Sequence, residues 1–148
     1  EPPELSAIRG ALPYVKIIKA VHVTDESAIA TAELYESYAD ALILDSRTGE
    51  RIGGTGIPHD WNISAKIVAN STIPVILAGG LTPENVREAV RKVRPYGVDV
   101  HTGIKKDGLR NPEKTLAFAR ETQNALPSSG NKRYAGKIRS GSEFARIR

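Results

Sequence analysis

Apolar residues fall along this chain in two alternating rhythms, short β-branched runs and longer stretches with apolar positions three and four apart. Residues 1–12 (EPPELSAIRGAL) carry Leu5, Ile8 and Leu12 at helical spacing behind prolines that suit a helix start. Residues 14–23 (YVKIIKAVHV) predict a buried strand, and the Ala-rich residues 25–37, with Ile29 and Leu34, predict a helix capped by Thr24 or Asp25. A second strand, residues 39–44 (ADALIL), ends at Asp45 and runs into a glycine-rich loop over residues 49–59. A helix is expected from about Trp61 to Asn70, then a third strand at residues 73–77 (IPVIL), closed by Ala78-Gly79-Gly80. Thr82-Pro83-Glu84 reads as a helix opening: a cap, a proline in the first turn, and an acid on the positive end of the dipole. The apolar stripe behind it is Val86, Ala89, Val90 and Val93. Residues 98–100 predict a short fourth strand, and Asn111-Pro112-Glu113 repeats the same opening for a helix to about Ala125.

Strands and helices that alternate at this spacing imply an α/β fold with parallel strands and right-handed crossovers. An eight-unit barrel takes roughly 200–250 residues. About four and a half units occupy this chain, which leaves two architectures, an open doubly wound sheet or the back half of a barrel. The pattern ends at Leu126. Residues 126–148 (LPSSGNKRYAGKIRSGSEFARIR) have no sustained periodicity and are expected to be disordered or of artificial origin. The expected division is therefore a partial barrel domain over residues 1–125 and a basic tail over 126–148. The chain has no Met anywhere and opens inside a helical turn, so a truncated product or a partial reading of a longer protein is expected.

Composition narrows the classes. With 148 residues, 40% hydrophobic and 26% charged, the chain is that of an ordinary globular domain. No apolar run approaches the roughly 18–20 residues that span a membrane, and the opening lacks a basic-then-apolar signal pattern. There is no cysteine, and His22, His59 and His101 are too far apart in sequence to read as a ligand cluster. The expectation is a cytoplasmic protein with no metal, no cofactor, no membrane partner and no specific nucleic-acid partner. The net charge of +4 does not change this. Six basic residues and one acid in residues 126–148 give +5, which leaves about −1 for residues 1–125.

In parallel α/β folds ligands sit at the carboxyl ends of the strands. Here those ends are Asp45, Gly53-Gly54-Thr55-Gly56, Gly79-Gly80, and residues 99–103. Glycines there let backbone N–H groups approach an anion, and the helix opening at Thr82 would add its positive end. Asp45, closing an apolar strand, would be partly desolvated, which suits a general acid; a solvated loop aspartate is the alternative. Asp99 lies between Val98 and Val100, so strand alternation puts it on the opposite face from both valines. It is either a pocket acid or a structural one paired with Lys16 or Lys19.

The segments LILDS, GGTG followed by DW, PVILAGGLTPENVREAVRKVRPYGVDV, and TGI with its K-x-G and N-P-E opening stand in the order and spacing of phosphoribosylanthranilate isomerase, which this chain resembles over about residues 1–125. The first helix and the VKIIKAVHV strand look like that family's fourth helix and fifth strand. The resemblance implies a (β/α)8 TIM barrel, of which about the last four strand–helix units are present. It implies an Amadori rearrangement of a sugar-phosphate substrate in tryptophan biosynthesis, by general acid and general base without a cofactor. Asp45 then matches the general acid, which protonates the furanose ring oxygen. Gly53, Gly54, Gly79, Gly80, Thr102 and Gly103 match substrate- and phosphate-binding positions, and Asp99 lines the pocket. Asp60 and Trp61 match an Asp-Trp pair that anchors the glycine loop.

Departures accompany the match. The family's base, a cysteine on the first strand, has no counterpart here, nor does the arginine that holds the anthranilate carboxylate. Ile57-Pro58 replaces a Lys-containing pair, and His101 stands where serine is common; activity of the chain alone would make His101 the first suspect for the base. His22 and His59 read as packing or surface residues. Other ribose-phosphate barrels are the nearest rivals, and the GGTG loop with Asp45 argues against them. A non-catalytic, phosphate-binding half-barrel that pairs with another chain through its open edge is the rival from a different class.

Overall fold

The computed structural model describes residues 2–48, 51–52 and 59–125. Its elements in chain order are α1 (Pro2–Ala11), β1 (Ile18–His22), α2 (Ser27–Tyr35), β2 (Ala41–Asp45), β3 (Arg47–Thr48), β4 (Arg51–Ile52), α3 (Trp61–Asn70), β5 (Val75–Leu77), α4 (Val86–Val93) and β6 (Gly97–Val98). A short 3-10 helix (Thr102–Ile104), β7 (Lys105–Lys106), β8 (Leu109–Arg110) and α5 (Pro112–Ala125) follow.

The main sheet has four strands in the order β1-β2-β5-β6, all parallel. Strand order follows chain order without reversal, whereas a doubly wound sheet reverses at a switch point. Strand parity then decides what is buried. Val21, Leu42, Leu44, Val75 and Leu77 project onto the helical side and are almost fully buried. Ala28 and Ala32 of α2, Ile67 and Val68 of α3, and the whole Val86, Ala89, Val90, Val93 stripe of α4 pack against them. The opposite face is not covered in this way. Ala20 is exposed, Ile43 and Ile76 are half-buried, and Ile18 is 37% exposed.

Several elements differ from the sequence expectation. The run at residues 14–23 forms a strand only over Ile18–His22, because its five residues are those that find partners in β2. Before it the chain turns, with the Val15 N–H donating to the Leu12 carbonyl, and Tyr14 is 97% exposed. The last strand stops at Val98, one residue before Asp99. Thr82-Pro83-Glu84 forms a turn ahead of α4 rather than its first turn. The Val86 N–H donates to the Thr82 carbonyl there, and the helix proper begins at Val86. The two-residue antiparallel pairs β3–β4 and β7–β8 are too short for any periodicity to announce. The basic tail, residues 126–148, lies outside the described residues.

Candidate active site

Asp45 is the last residue of β2, half-buried, at the carboxyl edge of the sheet. Register builds a row beside it. Asp45 faces His22 across β1. On the other side, the Ala78 N–H donates to the Leu44 carbonyl and the Asp99 N–H to the Leu77 carbonyl, carrying the same row to Ala78 and Asp99. Val98 and Val100 pack with the core. Asp99 therefore takes the open face that Asp45 shares. Of the lysines weighed as its partners, Lys16 pairs with Asp40 at 3.1 Å. Lys19 donates to the Ala20 carbonyl and lies over the Tyr35 ring.

Gly79 and Gly80 follow β5 with positive φ, 80° and 66°, a conformation that side chains resist. At Gly79 the space is closed as well. A Cβ there would overlap the Ser46 amide and hydroxyl and stand 2.7 Å from Asp45 Oδ1. The Asp45 carboxylate thus rests against the glycine loop of the next strand. Asn85 cinches that loop: its Oδ1 accepts from the Thr82 N–H at 2.8 Å, and its Nδ2 donates to the Gly80 carbonyl at 2.9 Å. Gly103, within the 3-10 helix, closes the arrangement. A Cβ there would overlap the Leu81 carbonyl oxygen and lie 3.1 Å from Thr82 Cα. Thr102, half-buried, precedes it. The two glycine loops are therefore interlocked, one on the other, beside Asp45. Gly53 and Gly54 lie outside the described residues.

After the glycine loop, Asp60 caps α3, its Oδ1 accepting from the Asn62 N–H at 2.8 Å. Trp61 packs against the core with its Nε1 buried and without a hydrogen-bond partner. His59 is bonded on both sides of its ring. Nδ1 lies 3.0 Å from Ser46 Oγ and Nε2 2.5 Å from Ser64 Oγ, while its backbone N–H also donates to Ser46 Oγ at 3.2 Å. Burial pushes this imidazole below its ordinary pKa, against the pull of the Asp45 and Asp60 carboxylates. His22 Nδ1 is buried without a hydrogen-bond partner, whereas His101 is exposed. Sequence reasoning passed over Ser46, Ser64 and Asn85, and read His59 as a packing or surface residue. Of these only Asn85 carried a signal, an Asx side chain placed to close a turn on the backbone ahead of it. Among the described residues no group of three or more His, Cys, Asp or Glu could hold a metal ion, and no helix is long and apolar enough to cross a membrane.

An unreversed parallel sheet backed by helices, with an acid packed against the Gly79 loop at its carboxyl edge, defines a parallel α/β protein. Residues 4–121 match the family model of N-(5'phosphoribosyl)anthranilate (PRA) isomerase, and the chain belongs to that family. It is 46% identical over 121 residues to N-(5'-phosphoribosyl)anthranilate isomerase 2 of Methanosarcina mazei, covering 80% of this chain and 54% of that one. To the isomerase of Methanocella arvoryzae it is 45% identical over 122 residues, covering 82% and 55%. Among solved structures, phosphoribosyl anthranilate isomerase from Thermotoga maritima superposes with a TM-score of 0.69 at 31% identity, over 84% of this chain and 58% of that one. A phosphoribosyl anthranilate isomerase in complex with reduced 1-(o-carboxyphenylamino)-1-deoxyribulose 5-phosphate superposes at 0.65 with 29% identity, over 84% and 56%. The chain spans about half the length of the curated relatives it matches.

Proposed function

We propose that this chain is the acid-bearing, phosphate-binding half of a phosphoribosylanthranilate isomerase, working in the cytoplasm on the rearrangement of N-(5-phosphoribosyl)anthranilate to its 1-deoxyribulose phosphate product in tryptophan biosynthesis. The observation that carries this reading is the contact of the Asp45 carboxylate with Gly79, which sets an acid directly beside the interlocked loops of Gly79-Gly80 and Gly103. In the reaction the Asp45 carboxyl gives its proton to the furanose ring oxygen as the C1–O bond breaks, and the anthranilate nitrogen lone pair forms the C1=N bond. A base then removes the proton from C2, and the electrons pass into an enolamine that tautomerises to the amino ketose. Gly79, Gly80, Thr102 and Gly103 receive the phosphate through backbone and hydroxyl donors. Asp99, on the face it shares with Asp45, lines the sugar pocket. Gly53 and Gly54 belong to the same proposal through the family motif.

The base is assigned to a segment outside this chain. The edge of β1 away from β2 pairs with no strand among the described residues, and beside it Val15 is 47% and Ile18 37% exposed. Helix α1 buries none of its residues. Strand units supplied there would cover the open face and complete an eight-unit barrel. The test is to add the amino-terminal half of the Methanosarcina mazei relative as a separate chain and follow product formation. Turnover is expected, and Asp45→Asn should lower it by about 10²–10⁴-fold. An assembly that forms without turnover supports the non-catalytic half-barrel instead.

A further inference from the structure

We propose that His59 is a positioning residue for Asp45, holding the acid's strand end through a hydroxyl–imidazole–hydroxyl bridge from Ser46 to Ser64. This rests on the reading of Asp45 as the acid. Ser46 directly follows Asp45, and its amide and hydroxyl form, with the Asp45 carboxylate, the wall against which Gly79 is packed. Whatever fixes Ser46 therefore fixes the acid relative to the glycine loop. His59 reaches Ser46 Oγ twice, from Nδ1 at 3.0 Å and from its backbone N–H at 3.2 Å, and its Nε2 meets Ser64 Oγ. Ser46 is 3% exposed and Ser64 is fully buried. Ser64 lies in the first turn of α3, whose start Asp60 caps, so the bridge ties the end of one strand to a helix already docked in the core.

The chemistry of the three groups suits a fixed bridge. A hydroxyl can donate or accept, so either tautomer of a neutral imidazole satisfies both serines. Neutrality also matters to the acid. The charged groups acting on His59 are Asp45 and Asp60. A protonated ring would set a cation near Asp45 and favour its ionised form, which has no proton to give. Burial opposes that protonation. A histidine kept only for packing would not need both nitrogens engaged with buried hydroxyls.

Two measurements test the proposal. In the full chain alone, ¹⁵N spectra at pH 7 should show a neutral His59 ring with both nitrogens hydrogen-bonded, and the Asp45 carboxyl ¹³C signal should move in His59→Phe and return in His59→Gln. In the assembled isomerase, His59→Phe should lower kcat by about 10–100-fold, the scale expected of a misplaced catalytic group, with KM changed less than about twofold and His59→Gln restoring most of the rate. Should His59→Phe fail to fold, Ser64→Ala removes one end of the bridge and should shift the same Asp45 signal. An Asp45 signal indifferent to His59→Phe, or to Ser64→Ala where that variant stands in, overturns the proposal. An equal loss in kcat for His59→Gln and His59→Phe overturns it also, since the bridge would then not be what matters. If the wild-type assembly has no isomerase activity, the functional reading falls, while the spectra still decide whether His59 positions Asp45.

Discussion

Asp45 Oδ1 stands 2.7 Å from where a Cβ on Gly79 would be, so an acid on one strand and a glycine after the next are fitted to each other by the absence of a side chain. Gly79 also holds φ at +80°. Both conditions forbid alanine. Gly79→Ala should cost about 2 kcal/mol or more in urea unfolding of the full chain, from backbone strain plus overlap with the Ser46 main chain. Gly97→Ala is the control, because a Cβ there meets nothing within 4 Å and its backbone needs no positive φ. It should stay within about 0.5 kcal/mol. Equal stabilities for the two variants would mean that the loop is not packed against Asp45 and Ser46.

How much of this was legible beforehand follows from the range of the interactions. The helices over Trp61–Asn70 and Pro112–Ala125 stand where the sequence puts them, the second behind its Asn111-Pro112-Glu113 opening, because a helix cap is a local property. The strand at residues 14–23 was overdrawn. A β-branched run states a preference, but Ile18–His22 is chosen by the length of β2, which no local pattern reports. The site divides in the same way. Asp45, Gly79 and Gly80 are legible as strand-end positions, while the His59 bridge depends on Ser46 and Ser64 meeting across 18 residues of sequence, and His22 faces Asp45 only through register. Such pairings belong to the tertiary fold.

Asp40 joins the first helix to the sheet. Its carboxylate accepts from the Ile17 N–H at 2.9 Å and pairs with Arg9 and Lys16 at 3.1 Å each. Burial alone would raise its pKa, but the Ile17 N–H, Lys16 and Arg9 together hold it below the ordinary carboxylate value. A depressed folded-state pKa means that the stabilisation is present above the unfolded pKa, about 3.9, and is lost as pH falls through the folded value. Asp40→Ala should therefore destabilise the chain by about 1–3 kcal/mol at pH 7. Thermal unfolding curves of wild type and variant should converge as pH drops below about 4. A gap that persists at pH 2 would assign the effect to packing instead.

Activity of the isolated chain turns on where a proton could go. If Asp45 is the acid and the base lies outside, the chain alone should bind inorganic phosphate weakly and fail to isomerise phosphoribosylanthranilate. Ring opening can be assisted, but proton removal from C2 lacks an agent, and a missing base typically costs about 10²–10⁴-fold. Any substantial turnover would require a residue of this chain to serve, and geometry ranks the two histidines near the strand ends. His101 is exposed, just outside the 3-10 helix. His22 stands in register with Asp45 on the same face, with its Nδ1 buried and without a hydrogen-bond partner. Rate loss in His22→Asn with His101→Asn unaffected would place the base on β1, one strand from the acid. The reverse result would return it to His101. Turnover that survives both substitutions would rule out both histidines as the base.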